Sequence, residues 1–135
     1  MITAVDSNVV LDVLTAGPFG PASREAIREA RRVGSLMACD VVWTEVASGY
    51  RSIEAADEAL RALDVRFVAI DPEVAIAAGQ VWSSYRKAGG GRDRVVADFL
   101  IGTHAWMRAD RFLTRDRGFY RKYFKRVPIV DPSVE

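Results

Sequence analysis

The sequence is poor in the residues that carry covalent and redox chemistry. Its 135 residues include one cysteine, Cys39, and one histidine, His104. A lone cysteine makes no internal disulfide, which suits a reducing cytoplasm. A Ser-His-Asp triad would need the single histidine beside a nucleophile, and no G-x-S-x-G elbow is present. There is no G-x-G-x-x-G and no phosphate-binding lysine loop, so dinucleotide and nucleoside-triphosphate chemistry lack their motifs. No apolar run approaches ~18 residues, so no membrane span is expected. The N-terminus carries no basic-then-apolar secretory signal. Neither sign of charge prevails, with 19 Lys and Arg against 18 Asp and Glu. No internal repeat or low-complexity tract is visible.

Half the residues are hydrophobic, enough for a real core, and the length suits one domain over residues 1–135. Short apolar segments at 2–6, 35–39, 65–70, 111–114 and 127–130 read as strands. Helical spacing or composition marks 9–14, 22–33, 41–49, 54–63, 71–89, 94–108 and 117–124. Pro21 can open the second helix. Asp40 and Asp71 are placed as N-caps, and "GGGR" at 89–92 is a break. Strands alternating with helices imply an α/β fold with a central parallel sheet flanked by helices on both faces. Ligands of such sheets bind at the carboxyl ends of the strands.

Four of the eighteen acids are not explained as caps or exposed helix charges. Asp6 ends the first strand, although it could also cap the helix after it. Glu45, in "CDVVWTEVASGY", has Val41, Val42, Val46 and Gly49 as neighbours; it sits on an apolar helix face or edges out of it. Asp98, in "RVVADFLIGTHAW", lies in a helix that is apolar almost all round, with Arg94 four residues earlier as a possible partner. Asp116 follows the strand "RFLT" and could cap the next short helix. Together they suggest one acidic pocket. Two carboxylates ~4 Å apart repel by roughly 4 kcal/mol at an effective dielectric near 20, so such a cluster calls for protons or cations. Hard oxygen donors suit Mg²⁺, or Mn²⁺. One or two such ions can activate water and stabilise the leaving oxygen in phosphodiester hydrolysis. Ser7 and Asn8 are placed to orient the ion or the phosphate.

The C-terminal third is basic, running from Arg108 to Arg126, with Phe119, Tyr120, Tyr123 and Phe124 interleaved. That pattern suits a nucleic-acid surface, and equally a solvated helix face whose rings are core. Arg92, Arg94, Arg115 and Arg117 are candidates to steer a phosphate backbone. Phe119 and Tyr120 are candidates to stack on bases or to pack. His104, six residues after Asp98, reads as a packed helix histidine, and Cys39 as core.

The segments "AVDSNVVLDVL", "WTEV" and "VVADFLIGTHAWMRADRFLTRDRGFYRKYF" together resemble PIN-domain ribonucleases, most of all the VapC-type toxins of toxin–antitoxin pairs. The 96–124 block is the most specific part. The resemblance covers essentially the whole chain and implies a single PIN-like nuclease domain. Asp6, Glu45 and Asp98 match the family's first three acids, and Asp116 the more variable fourth. Thr114 matches the supporting hydroxyl, and Ser7 and Asn8 the small polar pair. It further implies a magnesium- or manganese-dependent endoribonuclease, a homodimer, and a cognate antitoxin that covers the cleft. The alternative is a PIN-like module that binds RNA or protein without cutting. A haloacid-dehalogenase-type phosphatase would want an aspartate at position 8, where Asn stands. A structure-specific DNA nuclease of related fold would carry longer insertions.

Overall fold

The opening segment ITAV forms β1 (Ile2–Val5), buried at three of its four positions. It becomes the middle of the sheet. In the computed structural model, which describes residues 1–134, β1 lies between β2 (Ser35–Ala38) and β4 (Arg111–Leu113). The edges are β3 (Arg66–Phe67) and β5 (Ile129–Val130), giving the order β3-β2-β1-β4-β5. All four pairings are parallel, with Ala4 opposite Met37 on one side and Phe112 on the other.

Seven helices connect the strands among the described residues. They are α1 (Ser7–Thr15), α2 (Gly20–Val33), α3 (Asp40–Ala47), α4 (Ile53–Ala62), α5 (Pro72–Lys87), α6 (Val96–Arg108) and α7 (Arg117–Tyr123). Local chemistry sets several boundaries. Ser52 caps α4 through the Ala55 amide, and Asp71 caps α5 through the Val74 amide with Pro72 in the first turn. Parallel strands require crossovers, which as a rule are right-handed. The chain steps towards β3 after β1 and towards β5 after β4, so helices cover both faces. Where the two directions part, between β1 and β4, a crevice opens at the strands' carboxyl ends.

The α/β architecture is the expected one, with shorter edges. The edge strand β3 holds two residues rather than the six expected at 65–70. Val68 still donates to the Ala38 carbonyl, but Ile70 turns away and donates to the Asp40 carboxylate at 3.2 Å. Asp40 is therefore not the cap of α3. It lies in the first turn, and Cys39 occupies the cap position without a side-chain bond.

The core is aromatic on the side of α6 and α7. Phe99, Phe112 and Tyr120 are fully buried, each contributing on the order of 1.5–3 kcal/mol by burial. The Phe99 ring meets Trp82, Tyr85 and Phe119, and Phe112 meets Tyr120 edge-on at 4.7 Å. Phe119 is buried as well, so neither it nor Tyr120 is free to stack on a base. His104 and Cys39 are core residues, as read from the sequence.

Candidate active site

Asp6 is placed by two elements at once. Its backbone amide donates to the Leu113 carbonyl at 2.9 Å, closing the β1–β4 ladder. Its carboxylate caps α1 by accepting from the Ser7 amide at 2.8 Å. The second carboxylate oxygen accepts from the Thr114 hydroxyl at 2.7 Å and from the Asn8 side-chain amide at 3.3 Å. Cap and site member are thus one role. Asp6 is only 5 % exposed. Burial pushes its pKa up to about 6, against the bonds from Thr114 and Ser7, and the negative charges of Glu45 and Asp116 add to the rise.

Glu45 edges out of the apolar face of α3 into solvent. Its Oε1 accepts from the Ser7 hydroxyl at 3.0 Å, and the same hydroxyl lies 3.4 Å from Asp6 Oδ1. Ser7 therefore links the first two acids. Asp98 is half-buried in the first turn of α6, where its carboxylate accepts from the Val95 amide at 3.2 Å. The helix starts at Val96, so Asp98 stands at its positive end rather than inside an apolar cylinder.

The partner considered for Asp98 goes elsewhere. Arg94 grips Asp116 with both guanidinium nitrogens, at 2.5 and 3.2 Å, and its guanidinium lies 4.2 Å from the centre of the Phe119 ring. Asp116 consequently makes no side-chain cap to α7. Tyr120 lies beneath this group. Burial raises its hydroxyl pKa far above the usual range, and the charges of Asp6, Asp98 and Asp116 raise it further. The phenol stays protonated, and all three acids act on it. From the sequence alone Tyr120 is a ring to stack or to pack, with no sign of this place beside the acids.

A second missed group holds the loop after β4. Asp12, buried on α1, takes Arg115 in a two-point ion pair at 2.6 and 3.0 Å and accepts from the Ser23 hydroxyl at 2.9 Å. Arg115 also lies over the Phe19 ring. Its amide donates to the Asn8 side-chain carbonyl oxygen at 3.2 Å, and the Asp116 amide donates to Thr114 Oγ1 at 3.0 Å. Helix α1 thereby fixes the segment that carries Thr114 and Asp116. A signal was present: Asp12 is the only charged residue in "SNVVLDVLT". Arg115 is thus an internal clamp rather than a free cation. Arg117 approaches Asp131 at 3.6 Å, while Arg92 is exposed and has no carboxylate partner among the described residues.

The donor set matches a hard divalent cation in kind, since all four candidates are carboxylates. The raised pKa of Asp6 is a charge conflict that a cation would relieve. The side chains as they stand do not close on one point: among the described residues, no three carboxylates, histidines or cysteines converge to hold an ion. Arg94 supplies the positive charge at the fourth acid.

The PIN-domain family matches residues 3–125. This chain belongs to that family. Its PIN domain is similar in structure to VapBC2 from Rickettsia felis, solved bound to a DNA fragment from its promoter. The two share 14 % identity and a TM-score of 0.77 over 97 % of this chain and 98 % of that one. It is also similar to VapBC-1 from nontypeable Haemophilus influenzae, with 18 % identity and a TM-score of 0.74 over 99 % and 100 % of the two chains. A toxin–antitoxin complex from Klebsiella pneumoniae shares 19 % identity and a TM-score of 0.67 over 96 % and 97 % of the two chains. At these identities the likeness is one of fold. No curated protein matches the chain in sequence. No described helix of this PIN domain is long and apolar enough to cross a membrane.

Proposed function

We propose that this PIN domain, spanning residues 1–135, is a magnesium- or manganese-dependent endoribonuclease, the toxin of a toxin–antitoxin pair. The observation that carries the reading is the buried Asp6 carboxylate at the β1–β4 crevice, its charge opposed by burial, Glu45 and Asp116. Asp6, Glu45, Asp98 and Asp116 are the residues that would hold the ion. When bound, the ion supplies Lewis acidity for water activation and screens the phosphodiester. Thr114 and the Ser7 amide hold the Asp6 carboxylate in one orientation. The Ser7 hydroxyl sets the spacing of Asp6 and Glu45, and Asn8 ties Asp6 to the Thr114–Arg115 segment. In this reading Arg92, which is exposed, would meet the phosphate backbone, and Arg94 and Arg117 would do so on leaving their carboxylates.

The Klebsiella pneumoniae structure is a toxin–antitoxin complex, and its likeness in fold supports an antitoxin partner here. The same reading includes a homodimer and a cytoplasmic site of action. The test is incubation of wild type and Asp98→Asn with labelled total RNA in Mg²⁺, in Mn²⁺ and in EDTA. Cleavage that needs the ion and is lost in the variant is the expected result. A folded wild type that binds RNA as well as the variant, and cuts under no condition, would favour the binding-module reading.

A further inference from the structure

Helix α1 reaches residue 115 twice. Asn8 and Asp12 stand one helical turn apart and share a face of the helix. The Asn8 side-chain oxygen accepts from the Arg115 amide, and the Asp12 carboxylate takes the Arg115 guanidinium on both of its oxygens. One helix face thus holds this residue by main chain and side chain together. Its neighbours in the chain are Thr114 and Asp116, and their positions carry the site. Thr114 donates to Asp6, and the Asp116 amide donates to Thr114. Asn8 closes the circuit, with its amide nitrogen 3.3 Å from Asp6 Oδ2 and 3.4 Å from Thr114 Oγ1.

Asp12 is not a fifth acid of the cluster. Its Oδ1 is taken by Arg115 and its Oδ2 by Arg115 and Ser23. The Asp12 side chain is 9 % exposed and Ser23 is fully buried. The Phe19 ring covers the guanidinium, whose carbon lies 4.4 Å from the ring centre. A buried pair of this kind gives little stability that well-packed apolar side chains would not give. What it gives is direction, because a two-point guanidinium–carboxylate contact fixes angle as well as distance. On the other side of Asp116, Arg117 reaches Asp131 only at 3.6 Å. The firm hold on the segment after β4 is therefore the one from α1.

We propose that Asp12 is a positioning residue of the active site. It touches neither ion nor RNA. Acting through Arg115, it sets where Thr114 and Asp116 present their oxygens, and through Thr114 it sets the angle of the Asp6 carboxylate. The proposal rests on the ribonuclease reading and adds to it a carboxylate outside the four acids.

The test compares wild type with Asp12→Asn, which keeps the size of the side chain and an acceptor for Ser23 but sets N–H against N–H at one of the two guanidinium bonds. Leu60→Ala, a core truncation on α4, is the destabilised control. Two readouts are taken on the full chain below its melting range. Mn²⁺ uptake is followed by loss of the free-ion signal in electron paramagnetic resonance. Single-turnover cleavage of labelled total RNA at rising protein concentration separates the maximal rate from half-saturation. Asp12→Asn is expected to lower Mn²⁺ affinity and the maximal rate by about tenfold each, at the lower end of what groups that orient an ion's ligands contribute, with half-saturation within about threefold. Leu60→Ala should leave all three quantities within about twofold. Arg115→Lys keeps a cation against Asp12 without the two-point contact, and it should move the same quantities in the same direction even where Asp12→Asn does not fold. If the variants match Leu60→Ala, the pair only supports the fold and the proposal is overturned, while cleavage by wild type still upholds the ribonuclease reading. A change in half-saturation alone would place Asp12 in RNA binding and overturn the proposal as well. If wild type takes up no Mn²⁺ and cuts no RNA, the ribonuclease reading falls and the proposal falls with it.

Discussion

Arg94 and Asp116 are joined by two hydrogen bonds, so a cation from the chain itself already sits on the fourth acid. The two side chains are 25 % and 34 % exposed, and an ion pair at that exposure is worth about 1 kcal/mol. Arg94→Gln removes the competitor. Mn²⁺ should bind the variant about fivefold more tightly than wild type, read as loss of the free-ion signal in electron paramagnetic resonance. Unchanged or weaker binding would mean that Asp116 needs Arg94 to be held in place for the ion.

Asp6 makes stability depend on pH. Its folded pKa of about 6 lies above the ordinary aspartate value of 3.8. Between these values the folded state holds the extra proton, so stability falls as pH rises through that window and is lowest above it. The metal-free protein should melt at a higher temperature at pH 5 than at pH 7.5. Asp6→Asn keeps a capping side chain and should flatten that part of the profile. It should also be the more stable protein at pH 7.5, by about 1–3 kcal/mol on the scale of 1.36 kcal/mol per pKa unit.

Arg115→Met leaves Asp12 charged and buried with only Ser23 as partner. Stability should drop by ~3 kcal/mol, the usual cost of stripping one member from a buried pair. Arg92→Ala removes an exposed side chain that has no carboxylate partner among the described residues and should leave stability within ~0.5 kcal/mol of wild type. Chemical denaturation of the two variants side by side measures the difference.

Gly102 faces the Phe124 ring so closely that an added Cβ would lie 2.6 Å from it. That ring is 3 % exposed and has no open side to turn to. Gly102→Ala should destabilise by ~1–3 kcal/mol through overpacking, despite the better helix propensity of alanine. Thermal melts settle the sign.

How much of the fold and site was legible in the sequence depended on how locally each feature is encoded. Asp6 was legible because an acid that ends an apolar strand is conspicuous from its neighbours alone. The cap at Asp71 and the sheet's parallel sense were legible for the same reason. Asp12 was not, since its meaning lies in Arg115, 103 residues away. The length of β3 was not either, because it depends on how far an edge strand can follow Met37 and Ala38 before the chain turns to Asp40. The position of Asp98 within its helix was not legible, because the start of α6 at Val96 has no cap side chain to announce it. The basic stretch was visible as composition, yet only the carboxylates they meet show that Arg115 and Arg117 are engaged.

The hydrogen bond from Thr114 to Asp6 closes a loop of 108 residues. During synthesis the first acid leaves the ribosome 108 residues ahead of Thr114, which orients it, and the fourth acid follows Thr114. A nascent chain that lacks β4 has Asp6 without the Thr114 hydroxyl, leaving only the longer Asn8 bond on that oxygen, and β1 has no neighbour on that side. The site is therefore completed only once β4 and the residues after it have been made, and a chain cut before β4 carries three of the four acids without the cleft that would make them act together.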